Sequence, residues 1–253
     1  AGRNGVLAAQ LAETGFTATD RAVDGPQGML VAMQAETHNV RDEITRLGRD
    51  WEIVDGGITV KLYPSCAGTH PTIDTLLDLR NDYGFTAADI DQIKIGVDTV
   101  TPTVLIHDRP TTGLEGKFSM HFCAASAVAH GSVDLQTFEP SGLSDSLTRK
   151  LLPRVMMYVD PVLGVDRPPL TEAKVVVRLR DGRRCERHAR GARGYPGLPP
   201  SAQELDCKFT VCAERAVEPS VATEVLGWLR GLERQPRVAA LADLLTRSVA
   251  IPA

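Results

Sequence analysis

The stretch that most constrains the fold of this chain runs from Leu114 to His130 and is apolar and rich in alanine. Its composition favours a helix, and the glycine at position 131 is a common place for a helix to end. A helix that is apolar on almost every side has to be covered by other parts of the chain. We therefore predict that this helix is largely buried.

Strand patterns lie on both sides of this helix in the sequence. Residues 90–100 alternate isoleucine and valine with glutamine and lysine, as does a strand that is buried on one face. Residues 174–180 and 183–189 are joined by Asp181-Gly182, a strong signal for a hairpin turn. Strand, helix and hairpin together predict a small α+β unit.

Helical patterns occupy most of the remaining chain. A helix is predicted over residues 70–83, and short helices over residues 18–50, whereas residues 51–61 have the pattern of an extended chain. Gly and Pro mark a boundary at residues 190–200. Helical patterning then returns over 201–216, 218–231 and 236–247, the first with a capping box at Ser201 and Glu204.

The fold class predicted from these patterns is mainly α with an α+β part. The first helix, which ends near Gly15, is already under way at the first residue and has no cap before it. We therefore expect that the sequence begins inside a longer protein.

Composition excludes several classes of function. Lys and Arg number 28 against 32 Asp and Glu, so the net charge of -4 gives no general attraction to nucleic acid or to an anionic membrane. The basic residues of segment 174–193 alternate on a predicted hairpin without aromatic residues for base stacking, which is typical of a solvated face. We expect no nucleic-acid partner.

The expected location is the cytoplasm. The five cysteines form an odd set without the spacing of a zinc site or a disulfide framework. No apolar run approaches the roughly 18 to 20 residues of a membrane span, and the opening residues lack the pattern of a signal peptide. We expect neither a membrane partner nor a metal, because no ligand set is present.

The segment KLYPSCAGTH at residues 61–70 is predicted to bind an anion. Ser65, Gly68 and Thr69 offer backbone N–H groups near the start of the following helix, where hydrogen bonding and the helix dipole favour a carboxylate. Lys61 adds a full positive charge.

Three further residues of this segment carry alternatives. His70 has the intrinsic pKa for proton transfer near neutrality, although a histidine that starts a helix is more often a cap or a packed residue. Tyr63 is either a proton donor or a packed ring with a hydrogen-bonded hydroxyl. Cys66 is either a nucleophile activated by Lys61 or His70, or a small packed side chain.

Lys117 is the unusual member of a second polar cluster, residues 111–121. It lies where the predicted helix becomes apolar, so its ammonium needs an acidic partner or a bound anion to offset desolvation. The alternative is a lysine whose stem packs while its amine reaches solvent.

The two motifs together resemble the MmgE/PrpD family in order and spacing. They are KLYPSCAGTHP at residues 61–71 and TGLEGKFS at residues 112–119, and similarity extends over essentially the whole chain. The family includes 2-methylcitrate dehydratase, cis-aconitate decarboxylase and iminodisuccinate epimerase. The resemblance implies an all-helical domain, residues 1–58 and 198–253, with an inserted α+β lid, residues 59–197, and a substrate cleft between them.

The resemblance also implies the site. Its catalytic candidates are Lys61, Tyr63 and His70, and its substrate-binding candidates are Ser65, Cys66, Thr69, Lys117 and Ser119. Cys66 stands where decarboxylase relatives have histidine, which counts against decarboxylation. The N-terminal helical half of the family supplies an acidic residue, a histidine and a lysine to the same cleft, and that half is missing here.

These implications predict a lyase without a metal or organic cofactor, usually a homodimer. It would remove a proton alpha to a carboxylate of a small di- or tricarboxylic acid, followed by loss of water or of carbon dioxide. One alternative is an isomerase that epimerises a dicarboxylate such as iminodisuccinate. Another is a non-catalytic fragment or subunit that pairs with the missing half.

Overall fold

A computed structural model describes residues 2–34, 42, 44–168 and 170–246 of the chain. These residues form two compact units, Ala1–Gly57 and Ile58–Ala253. The predicted domain bounds at 58/59 and 197/198, and the insertion of one domain in another, stay predictions.

The first unit is helical. The helices of this unit whose bounds lie within the described residues are Gly2–Glu13 (α1), Met29–Ala32 (α2) and Glu52–Asp55 (α3). The predicted first helix is confirmed as α1, and the chain turns at Gly15 with a left-handed φ of 90°. The predicted short helices at 18–50 fall partly on residues 35–41 and 43, which lie outside the described part of the chain.

The prediction of extended chain over residues 51–61 is wrong, because residues 52–55 form α3. Glu52 and Asp55 lie in this single turn, and Glu52 places its carboxylate at the positive end of the helix dipole. Ile53 and Val54 are adjacent in sequence and both exposed, so no buried face selects a strand here.

The second unit contains a four-stranded mixed sheet. Its strands are Ile90–Val97 (β1), Val155–Val159 (β2), Ala173–Leu179 (β3) and Arg184–Ala189 (β4). The strand order is β2-β1-β3-β4, with β1 and β2 parallel and the other pairs antiparallel. The predicted strand at 90–100 and the predicted hairpin are confirmed, whereas β2 is not found by the sequence patterns.

One face of the sheet forms the core. Ile93 pairs with Val177 and Ile95 pairs with Val175, and all of these side chains are fully buried. Their neighbours Lys94 and Arg178 point to the other face and are exposed. The alternation of the sequence therefore corresponds to one buried and one solvated face.

Helices cover the buried face. The helices of this unit are His70–Tyr83 (α4), Thr101–Val104 (α5), Gly113–Lys117 (α6), Met120–His130 (α7), Pro140–Leu143 (α8), Ser146–Leu151 (α9), Ala202–Ala213 (α10), Pro219–Arg230 (α11) and Ala239–Thr246 (α12). Short 3-10 turns lie at Ala67–Thr69, Ala87–Asp89, Gln136–Phe138, Leu152–Arg154 and Leu232–Arg234. Helices α4 and α7 contact each other, and α4 packs on β3 and β4 while α7 packs on β2.

The predicted single helix over residues 114–130 is in fact two helices, α6 and α7, separated at residues 118–119. The break occurs because the Ser119 hydroxyl accepts a hydrogen bond from the Phe122 N–H at 3.0 Å and so starts a new helix. The predicted burial is confirmed for α7, which is buried from Phe122 to Val128 and ends at Gly131.

The C-terminal helices are confirmed within the described residues. Helices α10, α11 and α12 lie inside the three predicted segments, and the last of these predictions extends to residue 247, outside the described part. The capping box at Ser201 and Glu204 is present. None of the helices described here is long and apolar enough to pass through a membrane.

The Ser119 cap gives a stability prediction. Ser119→Ala leaves the Phe122 N–H buried without an acceptor, so we expect the free energy of unfolding to fall by about 1 to 2 kcal/mol. Thr112→Ala, which removes the exposed cap of α6, is the matched control and should cost about 0.5 to 1 kcal/mol because water can replace it. Urea unfolding measures both, and an equal or smaller loss for Ser119→Ala would contradict the assignment of the break to this cap.

Candidate functional site

The predicted anion-binding segment forms a tight loop ahead of α4. The Lys61 ammonium donates to the Ser65 carbonyl at 3.1 Å, and the Ser65 and Thr69 hydroxyls lie 2.8 Å apart. The Thr69 hydroxyl donates to the Cys66 carbonyl at 2.8 Å. These contacts bring Lys61, Ser65, Cys66 and Thr69 together, and the binding of an anion by this segment stays a prediction.

The backbone N–H groups of this loop are not all free. The Thr69 N–H donates to the Cys66 carbonyl at 3.0 Å, within the 3-10 turn that leads into α4. The expectation that Thr69 offers its N–H to an anion is therefore wrong for this structure, because the tight turn places an acceptor there. Lys61, which is exposed, remains the charged group of the loop.

The second motif reaches the same loop through its backbone. The Cys66 N–H donates to the Lys117 carbonyl at 2.9 Å, so the last residue of α6 lies against the loop. The Lys117 ammonium lies 5.9 Å from the centre of the Phe138 ring, in the range of a cation–π contact. Lys117 is half-buried, with an aromatic face instead of an acidic partner as its described contact.

Ser119 is the N-cap of α7. Its side chain is fully buried and its oxygen accepts the hydrogen bond that starts α7. Within the described residues, none of its hydrogen bonds joins it to the loop at 61–70. Its assignment to substrate binding stays a prediction.

A buried thiol lies behind the loop. Cys123 on α7 is fully buried and donates to the Gly116 carbonyl at 3.5 Å. Burial raises the pKa of this thiol to about 12, an effect that hydrogen bonds from Thr69 and Ser65 reduce in part. The thiol is therefore neutral at physiological pH, and it adds no charge to the loop region.

His70 is fully buried at the start of α4. Its Nε2 lies 3.4 Å from the Ser65 carbonyl, which can only accept, so Nε2 carries the proton. Burial lowers the pKa of His70 to about 4, and the charge of Lys61 acts in the same direction. Its Nδ1 has no hydrogen-bond partner among the described residues. The ring is therefore a neutral donor to the loop backbone near pH 7.

Tyr63 is buried and its ring meets the His70 ring edge to face, with centroids 5.2 Å apart. Its hydroxyl donates to Asp74 Oδ1 at 2.5 Å and accepts from Arg193 Nη2 at 3.3 Å. Burial and the Asp74 charge both raise the pKa of Tyr63 above its usual value. Its single proton is thus engaged with Asp74, and its role in catalysis stays a prediction.

Three residues of this region were not predicted as site residues. Asp74 lies on α4 one turn after His70, and its four-residue spacing from His70 is a signal that could have been found. Arg193 comes from the Gly/Pro-rich boundary, and Lys208 on α10 donates to the Lys61 carbonyl. No local sequence pattern indicates Arg193 or Lys208, because their contacts join residues more than a hundred positions apart.

A cavity of about 280 Å³ lies beside the loop. Leu62, Tyr63 and Pro64 form part of its wall, and Arg193 and Lys208 add positive charge. Its remaining lining is Val133, Asp134, Leu135, Glu204, Cys207, Val211 and Cys212. It combines an apolar wall with two cations and with two carboxylates, Asp134 and Glu204, so its lining carries both signs of charge.

The described side chains include no group of three or more His, Cys, Asp or Glu residues arranged to hold a metal ion. The positive groups of the loop region are Lys61, Arg193 and Lys208. Such groups bind carboxylates by charge-assisted hydrogen bonds.

Comparison with known proteins agrees with the motifs. The profile of the MmgE/PrpD C-terminal domain matches residues 63–226. The chain is also similar to a curated protein of Aspergillus oryzae, the cis-aconitate decarboxylase-like protein oryM, at 24% identity over 261 residues. The match covers 97% of this chain and 53% of that protein, so the chain spans about half the length of the relative.

The buried His70 gives a prediction on pH. Its folded pKa of about 4 lies below the usual value near 6.5, so the unfolded chain binds a proton more readily between these pH values. The free energy of unfolding should therefore fall as pH drops through this window, by about 3 kcal/mol at pH 4 from this group alone.

Urea unfolding between pH 7 and pH 4 measures this contribution. His70→Gln should remove it and flatten the dependence on pH through this window. The same pH slope in His70→Gln and in the natural protein would contradict the neutral buried state of His70.

Proposed function

Because this chain belongs to the MmgE/PrpD family, we propose that it forms the carboxylate-binding part of a lyase that needs no metal or organic cofactor. The substrate class is a small di- or tricarboxylic acid, and the reaction is dehydration or decarboxylation. The curated relative's description as cis-aconitate decarboxylase-like supports this class of substrate.

One observation carries the proposal, namely the backbone hydrogen bond from the Cys66 N–H to the Lys117 carbonyl at 2.9 Å. It joins the two motifs that share the family pattern and places the backbone of Lys117 against the loop that follows Lys61. Lys61 is exposed beside the loop and Lys117 is half-buried beside it. Two cations in this arrangement suit a ligand with more than one carboxylate.

The proposed chemistry begins with removal of the proton alpha to a carboxylate. The electron pair of the broken C–H bond moves toward that carboxylate, and the two lysines stabilise the enolate-like charge. In dehydration, the pair then forms the carbon–carbon double bond as the beta hydroxyl leaves, protonated by an acid, as water. In the decarboxylation alternative no C–H bond breaks first: the carbon–carbon bond to a carboxylate breaks and carbon dioxide leaves. The electron pair of that bond, delocalised over the adjacent unsaturated carbons, then takes one proton from an acid.

In this scheme His70 orients the loop. With a pKa near 4 it is a weak base, and its proton on Nε2 is directed at the Ser65 carbonyl, the same oxygen that accepts from Lys61. His70 therefore helps to hold the Ser65 carbonyl that positions the Lys61 ammonium. A fixed ammonium is needed to stabilise the enolate-like charge. The base that removes the alpha proton then comes from elsewhere in the cleft.

A second candidate function is a subunit that completes its cleft with another polypeptide. Within the described residues of the first unit, α1 has no buried residue, and it exposes Val6, Leu7 and Leu11. Exposed apolar side chains on one helix favour burial against further protein. Native mass spectrometry of the purified material distinguishes this case, since a companion subunit or a longer chain would be measured directly.

Lysine substitutions test the proposed binding. Lys61→Ala and Lys117→Ala each remove a charge-assisted contact of about 1.5 to 3 kcal/mol, so the affinity for citrate or cis-aconitate should fall about 10-fold to 100-fold. Lys94→Ala is the control, because Lys94 is an exposed lysine on the solvated face of the sheet. Isothermal titration calorimetry measures all three, and an unchanged affinity for both site variants would remove the proposal.

The reaction class is tested by product analysis in D₂O. Release of carbon dioxide supports decarboxylation, and a new carbon–carbon double bond without carbon dioxide supports dehydration. Deuterium at the alpha carbon with inverted configuration, and neither of the other products, would overturn the lyase proposal in favour of an epimerase.

A further inference from the structure

The Gly/Pro-rich segment after the hairpin lies directly on the candidate loop. We call residues 192–195 the strap. The Val60 N–H donates to the Gly194 carbonyl at 2.8 Å, and the Tyr195 hydroxyl donates to the Ala67 carbonyl at 3.4 Å. Between them, Arg193 reaches Asp74. The strap therefore contacts the chain on both sides of the residues proposed to bind carboxylate.

The approach of the strap to the loop is close. Gly194 has a φ of 94°, and a Cβ atom there would lie 2.0 Å from the Val60 carbonyl oxygen. A side chain at this position would both strain the backbone and displace the loop. Only glycine allows the strap to lie where it does.

Asp74 accepts hydrogen bonds from both sides of this contact. Its Oδ2 accepts from the Arg193 backbone N–H at 2.7 Å, and its Oδ1 accepts from Arg193 Nε at 3.0 Å and from the Tyr63 hydroxyl at 2.5 Å. Asp74 is only 7% exposed. A buried carboxylate that accepts three hydrogen bonds fixes the positions of its three donor groups.

Arg193 is fixed by more than this carboxylate. Its Nη2 donates to the Tyr63 hydroxyl at 3.3 Å, and its Nη1 lies 3.9 Å from Glu204 Oε1 on α10. Tyr63 in turn packs its ring against His70, whose Nε2 faces the Ser65 carbonyl that Lys61 binds. A continuous set of contacts thus runs from Arg193 to the Lys61 ammonium.

We propose that Asp74 and Arg193 are a pair of positioning residues that hold Tyr63, and through it the Lys61 loop, in the geometry that binds carboxylate. This inference rests on the proposed function for its effect on substrate. The pair acts through its contacts with the Tyr63 hydroxyl and needs no contact with the substrate. Its contribution is preorganisation, which is lost when either partner is removed.

Substitution of the pair should weaken binding without touching the lysines. Asp74→Asn and Arg193→Gln should each weaken citrate or cis-aconitate binding about 10-fold or more, and the double variant should be no weaker than the poorer single one. Arg193→Lys keeps the backbone bond and the charge, so we expect it to recover most of the affinity. The matched control is the exposed pair Asp91 and Arg178, where Asp91→Asn and Arg178→Gln should change affinity less than about 2-fold.

These variants distinguish a loss of affinity through lost positioning from a loss of affinity through misfolding. Additive losses in the double variant, or equal losses in the Asp91 and Arg178 controls, would overturn the proposal. If turnover is measured, substitution of Asp74 or Arg193 should raise KM more than it lowers kcat, because the pair positions groups that bind substrate. The reverse split would also contradict it.

A second measurement does not depend on the function. Asp74→Asn should free the strap, so limited trypsin digestion should cleave after Arg190 and Arg193 about 10-fold faster or more, with no such change in Asp91→Asn. If the natural protein binds neither citrate nor cis-aconitate, the proposed function fails while digestion still tests the pair. Unchanged cleavage in Asp74→Asn would overturn the positioning role itself.

Discussion

The packing of α4 and α7 on one face of the mixed sheet is the interaction on which the rest of the second unit depends. The apolar side chains of β1 and β3 lie in one buried cluster with residues of α4 and α7, so sheet and helices remove the same apolar surface from water. The same packing sets where α4 begins and where α6 ends. The loop at 61–70 and the Lys117 carbonyl therefore meet at a place fixed by the core, and the site inherits its geometry from the burial of apolar surface.

Much of this core could be predicted from the sequence because its signals are local. Alternation in β1, the Asp181-Gly182 turn and the glycine after α4 each determine the structure of their own neighbourhood. Strand β2 was missed because a parallel edge strand has no turn beside its partner and its exposure pattern is irregular. The break between α6 and α7 was missed because one buried serine outweighs a run of apolar residues, and composition does not show which way a hydroxyl points.

The candidate site also has one part that could be predicted from the sequence and one part that could not. Its loop could be predicted because Lys61, Ser65, Thr69 and His70 lie within ten residues and bond mainly with each other. The protonation state of His70 could not, since it depends on how completely the fold covers the ring. The contacts of Asp74 with Arg193 join residues 119 positions apart, and only the completed fold brings such residues together.

The Ser65 carbonyl oxygen affects the electrostatic potential that an approaching anion meets. A carbonyl oxygen has two lone pairs, and here they face the Lys61 ammonium and the His70 Nε2–H. Left unpaired and turned toward a ligand, that oxygen would repel a carboxylate. With both lone pairs directed to donors of the same loop, the backbone adds little negative potential to the region. An approaching anion therefore meets less negative potential at this oxygen than it would if the oxygen were unpaired.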